Sequence, residues 1–333
     1  MINSKIKLIE LFFPEKRLTN DMISVEFPVW DSSKIEEKVG VKSRFIVQDN
    51  ETALDLAFNA VSRLLEKYDK RKIDFIILCT QSPDYILPTT ACILQAKLGL
   101  NKNIGAFDFN LGCSGYIYGL GIAKSLINTN MAKSVLLVTS ETYTKHINKL
   151  DFANRSIFGD AATATIIEVD ENECLHEFVY GTDGDGAFNL IIKNGGARNV
   201  REENPRLMDT QNGNKSTDND LFMNGPEIFN FTIATIPKLI NDVLVKNRLE
   251  IQNIDYFIFH QANKFMLDYL RKKIKVDSEK FYNSILETGN TVSSTIPIAL
   301  KECIDNNKVK IGDKVLLCGF GVGYSWGATV ITI

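Results

Sequence analysis

IDFIILC, residues 73–79, returns as IDYFIFH, residues 254–260, 181 positions further along the chain. Each run is rich in β-branched and aromatic residues and lacks apolar/polar alternation, so each reads as a strand buried on both faces. Before the first run, Leu54, Ala57, Val61, Leu64 and Leu65 recur at helical spacing, with Asp49 and Asn50 as candidate caps of a helix ending near Tyr68. After it come a short helix over 91–98, a strand over 106–109, a helix over 114–128 and strands over 134–139 and 161–169. Strands alternating with amphipathic helices give an α/β fold.

Two further echoes keep the same order. Val315-Leu316-Leu317 repeats Val135-Leu136-Leu137 after 180 positions, and Gly327-Ala328-Thr329 resembles Ala161-Ala162-Thr163. Chance likeness between β-rich runs explains any one echo; three in order point to an internal duplication. The halves are then 1–170 and 171–333. Within the second, the polar stretch 198–219 (RNVREENPRLMDTQNGNKSTDN) reads as a surface excursion, and an amphipathic helix over about 227–247 resumes the core.

The 333 residues are 44% hydrophobic, enough for a sizeable core, and 38 basic against 41 acidic side chains leave a net charge of only -3. Such a balance offers no global field for nucleic acid or a membrane, so a charged partner must be met by a local patch. The six cysteines include no C-x-x-C pair, which favours reduced thiols and a cytoplasmic protein. Lysines interrupt the apolar residues from Met1 to Phe13, so no signal peptide is expected, and no apolar run stands out as a membrane span.

The chemistry concentrates in DFNLGCSGYIYGL, residues 108–120. A strand ends at a cysteine between Gly112 and Gly115, and the helix that follows carries no charge for several turns. The unpaired N–H groups and partial positive charge at the head of such a helix favour a thiolate and can draw its pKa down from about 8.5. The same N–H groups suit the oxyanion of an attacked thioester. Cys113 is therefore the candidate nucleophile; Cys79, Cys92, Cys174, Cys303 and Cys318 read as small core residues.

Of three histidines, His146 and His176 lie in polar surroundings and read as solvated. His260 ends a buried strand, where α/β sheets gather their ligands, although a hydrogen-bonded core histidine fits that position equally well. Asn290, in TGNTVSSTIP (residues 288–297), precedes a Ser/Thr-rich helix start and by itself reads as a turn. The glycine-rich GFGVGYSWG, residues 319–327, is followed by a β-like end without helix or acidic residue, which rejects a dinucleotide loop. Cys174 with His176 is too little for zinc.

Together these segments resemble the β-ketoacyl-acyl carrier protein synthase III family of the thiolase superfamily. The likeness rests on Gly40-Val41-Lys42-Ser43-Arg44, Leu87-Pro88-Thr89-Thr90-Ala91, GCSG at Cys113, FGDAA at Phe158, HQAN at His260, GNT at Gly289 and FGVGYSWGA at Phe320. The resemblance implies a thiolase-like five-layer αβαβα fold of two duplicated halves, working as a homodimer without metal or redox cofactor. It implies an acyltransferase of fatty acid biosynthesis, with catalytic Cys113, His260 and Asn290. Cys113 would take an acyl group from a thioester, its oxyanion held by the backbone N–H of Cys113 and Val322. A malonyl thioester on acyl carrier protein would then decarboxylate, with His260 and Asn290 donating to its carbonyl, and the carbanion would attack the acyl cysteine.

The same likeness places Gly225, Phe229, Asn263, Phe320 and Leu87 around the pantetheine arm and acyl group, with Leu87 reaching the partner subunit. It places Lys264, Arg271 and Lys272, beside Lys273, against the carrier protein. Departures concern the substrate. Lys34 and Lys38 stand where CoA-using relatives carry an aromatic residue and an arginine, Pro226 replaces a pantetheine-contacting asparagine, and Phe265 replaces a carrier-binding arginine. These changes argue against adenine stacking and for a different, carrier-bound primer. Acyl transfer to an oxygen or nitrogen acceptor, a papain-like hydrolase and a non-catalytic binding protein are the alternatives. A papain-like site would place a tryptophan beside the nucleophile, where Tyr116 stands here.

Overall fold

The computed structural model describes residues 2–210 and 213–333. The principal strands are β1 (Asn3–Phe12), β2 (Phe75–Cys79), β3 (Gly105–Phe109), β4 (Ser134–Glu141), β5 (Ala161–Asp170), β6 (Leu175–Thr182), β7 (Tyr256–Phe259), β8 (Lys314–Gly321) and β9 (Ser325–Thr332). The principal helices are α1 (Ala53–Leu65), α2 (Thr90–Leu98), α3 (Gly115–Asn128), α4 (Gly225–Lys246), α5 (Lys264–Lys273) and α6 (Thr295–Asp305). One sheet has the order β1-β5-β4-β2-β3 and the other β7-β8-β9-β6.

Three apolar clusters stack these elements into five layers. Leu56, Ala60 and Leu64 of α1 and Leu94 of α2 pack with Ile76 and Val138 on the outer face of the first sheet. Ile117 and Leu120 of α3, with Ile296 and Leu300 of α6, lie between Ile77 and Leu137 of the first sheet and Ile258 and Leu317 of the second. Ile236 and Ile240 of α4 and Leu267 of α5 cover Leu316 and Val330 on the far side. The inner strands β4 and β8 are buried along nearly their whole length because both sheets are covered on both sides. This is the αβαβα arrangement that the family resemblance implies.

Strand registers repeat between the sheets. Phe75 sits opposite Val135 in the parallel β2–β4 pair, and Tyr256 sits opposite Val315 in the parallel β7–β8 pair, offsets of 181 and 180 positions. In the antiparallel pairs that follow, Val138 faces Ala164 while Cys318 faces Ala328. The third sequence echo is therefore displaced: Gly327-Ala328-Thr329 corresponds to residues 163–165, not to Ala161-Ala162-Thr163. The Ala-Thr pair occurs twice in a row in this strand, and sequence alone matched the wrong copy.

Several boundaries differ from the sequence reading. Thr52, not Asp49 or Asn50, caps α1, in a reciprocal box with Asp55, and the helix stops at Leu65. Gln211 and Asn212 of the polar stretch 198–219 lie outside the described residues. Its last part is no free excursion: Asn214, Ser216, Thr217 and Asn219 are buried, and Asn214 Oδ1 accepts from the Ala153 N–H at 3.0 Å. Helix α4 is long and apolar enough, by length and composition, to cross a membrane, a feature the sequence reading did not single out. Its Thr232, Ile236, Leu239, Ile240, Val243 and Leu244 are buried on one face while Asn230, Lys238 and Asn241 are exposed on the other, as in an amphipathic helix laid on a sheet.

Candidate active site

Three connections meet at the centre of the molecule. The first joins β3 to α3 and carries Cys113; the second leaves β7 at His260; the third carries Asn290 towards α6. Cys113, His260 and Asn290 line one cavity of about 70 Å³ with Phe320, Gly321, Gly225 and Asn263, and its remaining wall is mainly apolar, including Ile157, Phe158, Leu190, Met223 and Ile228. Sequence reading left His260 and Asn290 ambiguous one at a time; the fold brings both to the cavity that Cys113 lines.

Cys113 is only 6% exposed. Gly321, at the end of β8, backs it: a Cβ there would come within 2.8 Å of Cys113 Cβ and 3.0 Å of Sγ. Val322 stands beside the same turn, its Cγ1 2.7 Å from where a Cβ on Gly112 would lie. Burial, and then the Glu141 carboxyl, raise the Cys113 thiol, with a backbone N–H opposing them. The sequence reading weighed only the helix head, which favours a thiolate; the fold adds burial, which acts in the opposite sense. Withdrawal from water disfavours the charged sulfur and so acts against the pull of the helix terminus.

His260 is buried, and desolvation lowers its pKa to about 3, leaving a neutral imidazole at pH 7. Its Nδ1 lies 2.8 Å from Thr295 Oγ1, its Nε2 lies 3.5 Å from Asn290 Nδ2, and its ring meets Phe320 edge-on at 5.6 Å. Asn290 cannot turn its amide over, because its Oδ1 accepts from the Val292 N–H at 2.9 Å. Its backbone is locked too: its N–H donates to Ile157 O at 2.8 Å and its carbonyl accepts from the Gly159 N–H at 3.0 Å. This approach requires Gly289, whose φ is +65° and where a Cβ would meet Ile157 O at 2.6 Å. Behind it, buried Arg44 donates to Ser156 O at 2.7 Å and Leu18 O at 3.0 Å. The arginine of the GVKSR segment thus fastens the segment ahead of the FGDAA turn and does not face the cavity.

Other candidate residues are dispersed. Asn263 lines the cavity but also caps α5, accepting from the Met266 N–H at 2.8 Å. Phe229 is outside the lining; it packs on Phe265 and Tyr269, with ring centroids 5.4 Å away in each case. Leu87 is 79% exposed on the surface loop before α2 and does not reach the cavity of its own chain. Lys264 and Lys272 are exposed, whereas half-buried Arg271 donates to Val276 O at 3.1 Å.

The remaining histidines and cysteines correct the sequence reading. His146 and His176 are half-buried: His146 Nε2 is 3.4 Å from Ser82 Oγ, and His176 Nε2 is 2.8 Å from Thr332 Oγ1. Burial lowers both pKa values. Cys92 is exposed and Cys174 half-buried, not core residues. In each case the neighbours in sequence differ from the neighbours in space.

Glu141 and Thr295 escaped sequence reading, because their significance lies in contacts across the fold. Glu141 is fully buried at the end of β4, accepting from the Gln81 N–H and from Ser293 Oγ at 2.9 Å. Burial pushes its pKa up to about 8 against these hydrogen bonds.

Comparison with known proteins fits this geometry. Residues 107–184 match the family described as 3-oxoacyl-[acyl-carrier-protein (ACP)] synthase III, and residues 244–333 match its C-terminal counterpart. The chain is 35% identical to the beta-ketoacyl-[acyl-carrier-protein] synthase III of Clostridium perfringens over 100% of both chains, and 36% identical to that of Acholeplasma laidlawii, again over 100% of both. A crystal structure of a 3-oxoacyl-(acyl-carrier-protein) synthase III superposes with a TM-score of 0.98 at 44% identity, covering 99% of this chain and 100% of that one. The Burkholderia xenovorans 3-oxoacyl-(acyl-carrier protein) synthase superposes with a TM-score of 0.91 at 34% identity, covering 100% of this chain and 95% of that one. With full-length relatives at this identity and the same layered fold, the chain belongs to the 3-oxoacyl-[acyl-carrier-protein] synthase III family.

Proposed function

We propose that the protein catalyses decarboxylative condensation of an acyl thioester with malonyl-acyl carrier protein through an acyl-cysteine at Cys113. The observation that carries this is the convergence of Cys113, His260 and Asn290 on one cavity whose wall is mainly apolar. Family membership favours condensation over simple acyl transfer. In the first half-reaction Cys113 Sγ bonds to the acyl carbonyl carbon, the bond to the donor sulfur breaks, and the donor leaves as a thiol with the cysteine's proton. The backbone N–H groups of Cys113 and Val322 hold the transient oxyanion; the position of Val322 beside the nucleophile turn supports that role.

In the second half-reaction the malonyl carboxylate leaves as CO2, and its electron pair passes to the thioester oxygen as an enolate. His260 and Asn290 stabilise that oxygen as donors. A neutral imidazole suits this work, because negative charge appears on oxygen only as the transition state forms. The enolate carbon then attacks the acyl-Cys113 carbonyl, and the cysteine sulfur departs and recovers a proton. No step calls for a metal or redox cofactor.

Gly225, Asn263 and Phe320 line the route for the pantetheine arm, with Phe229 just outside it. Exposed Lys264 and Lys272, with Lys34 and Lys38 on the helix Ser32–Val39, supply the positive face for an acidic carrier protein; Arg271 contributes less, being partly engaged. A homodimer is the working form: β3 is an edge strand, and Ile86 and Leu87 beside it are 96% and 79% exposed, placed to meet a second copy. Six free cysteines accord with a reducing, cytoplasmic setting.

Intact-mass analysis after incubation with a panel of acyl thioesters tests the first half. An acyl adduct that disappears in Cys113→Ala, followed by CO2 release and a β-ketoacyl product on adding malonyl-carrier protein, is the expected result. An adduct transferred to another acceptor without CO2 would overturn condensation.

A further inference from the structure

We infer that Thr295 is a positioning residue that fixes the proton of the His260 imidazole on Nε2, the nitrogen nearer Asn290. This rests on the reading of His260 as a hydrogen-bond donor to the malonyl thioester. The Thr295 hydroxyl stands 2.8 Å from His260 Nδ1 and 3.0 Å from Val292 O, but it has a single hydrogen to give. The two uses have opposite consequences. If the hydroxyl donates to Val292 O, Nδ1 must carry the proton and donate to Oγ1, leaving a bare Nε2 that accepts from Asn290. The site then holds one donor and one acceptor, and an enolate oxygen would face a lone pair. If the hydroxyl donates to Nδ1, the ring proton sits on Nε2, and His260 and Asn290 present two donors to one oxygen.

The surroundings allow the second arrangement, in which the Nε2–H faces the cavity beside Asn290 Nδ2. Val292 O already accepts the backbone N–H of Thr295, so it does not depend on the hydroxyl. Asn290 Nδ2 has Ala262 O as an alternative acceptor at 3.5 Å. Nδ1 has the threonine hydroxyl as its hydrogen-bond partner among the described residues, and both side chains are 2% exposed, so water offers little substitute. Thr295 opens α6, and the positive end of that helix disfavours a second proton on the ring.

Nitrogen-15 NMR of the full-length protein labelled at histidine tests this directly, since only three histidines need assignment and His260→Ala identifies the signal. The expected spectrum has a protonated Nε2 and a bare Nδ1 for His260. Thr295→Val should lose that preference and slow malonyl-thioester decarboxylation about tenfold, the effect of one hydrogen bond worth about 1.4 kcal/mol. Acylation of Cys113, followed by intact mass, should stay within about twofold, and Thr295→Ser should restore decarboxylation. A protonated Nδ1 in the unsubstituted protein overturns the inference, as does equal loss of both half-reactions in Thr295→Val or failure of serine to rescue. If Thr295→Val does not fold, the unsubstituted spectrum and Thr295→Ser still decide. Failure of the unsubstituted protein to form the acyl adduct or release CO2 instead defeats the functional reading, whatever the tautomer.

Discussion

The two halves use one backbone plan at two levels of reactivity. β2 ends at Cys79 where β7 leads into His260, and β4 ends at Glu141 where β8 ends at Gly321, each pair 180 or 181 positions apart. Even the strand entries match: Asp74 accepts from the Ser134 N–H at 3.1 Å, and Asp255 accepts from the Lys314 N–H at 2.8 Å. Yet Cys79 donates to Leu111 O at 2.9 Å and lies where a Cβ on Gly115 would need to be, packed beneath the nucleophile turn. His260 keeps one ring nitrogen for support and turns the other towards Asn290. In one half the strand end holds the helix head in place; in the other it faces the cavity. The layout of strands therefore locates the site, and the residue at each end decides its chemistry.

Exchanging residues at the paired strand ends gives the largest effect. His260→Ala and Asn290→Ala should each slow decarboxylation by about 10²–10³ while retaining Cys113 acylation, the cost of removing one donor from a developing oxyanion. Cys79→Ala should keep both half-reactions within about threefold while losing about 1–2 kcal/mol of stability, as for a small buried side chain. Separate acylation and CO2-release assays check this. If Cys79→Ala matched His260→Ala in decarboxylation, the division of labour between strand ends would fail.

The second pair, Glu141 and Gly321, separates on the pH axis. Burial raises the Glu141 carboxyl from 4.5 to about 8, so the folded chain holds that proton more tightly than the unfolded chain. Stability from this group is full below pH 4.5 and is lost as pH rises towards 8. Glu141→Gln, which cannot ionise, should gain on the unsubstituted protein through that window, by an amount on the order of a few kcal/mol at pH 8. Some slope should remain, since burial raises Asp160 to about 6 in the same sense. Denaturant midpoints measured from pH 5 to pH 8.5 test it; parallel curves for the two proteins would show that Glu141 is ionised throughout.

Gly321→Ala probes the same position in the other half. Its Cβ would intrude within 3.0 Å of Cys113 Sγ, so the sulfur or β8 must move by a few tenths of an ångström. Cys113 acylation should slow about tenfold, because a small displacement of a positioned nucleophile is costly. Unchanged acylation in a folded Gly321→Ala protein would mean that the turn yields without moving the sulfur.

How much of this could be read in the sequence follows from the range of each interaction. Buried strands, amphipathic helices and the Gly-bracketed Cys113 announce themselves within a few residues, and the duplication shows because IDFIILC and IDYFIFH kept their side chains. The third echo slipped by two residues because Ala-Thr is repeated in β5 and the pairing partner, not the sequence, sets register. At Cys113 the helix head that favours a thiolate is local and visible, whereas the desolvation that opposes it comes from distant elements. Thr295 looked like helix-start chemistry because its partner, His260, is 35 residues away. Family motifs picked out Cys113, His260 and Asn290, which the fold gathers at one cavity; the hydrogen bonds behind them come from the fold.

The smallest contrast concerns the helices that lead each half on to its sheet. Thr52 caps α1 in a two-way box, with Asp55 Oδ2 accepting from the Thr52 N–H at 3.2 Å and the Thr52 hydroxyl also reaching Asp84 at 2.8 Å. Asn224 caps α4 through a single bond to the Glu227 N–H at 3.4 Å, near the limit of a useful hydrogen bond, with Pro226 already setting the first turn. Thr52→Ala should therefore cost about 1 kcal/mol, roughly 2 °C in Tm for a chain of this size, and Asn224→Ala only a few tenths of that energy. Thermal unfolding of the two variants side by side measures the difference. Equal losses would mean that the 3.4 Å contact tightens in solution, and Asn224, one residue from cavity-lining Met223 and Gly225, would then help to hold that wall of the cavity as firmly as Thr52 holds its own helix.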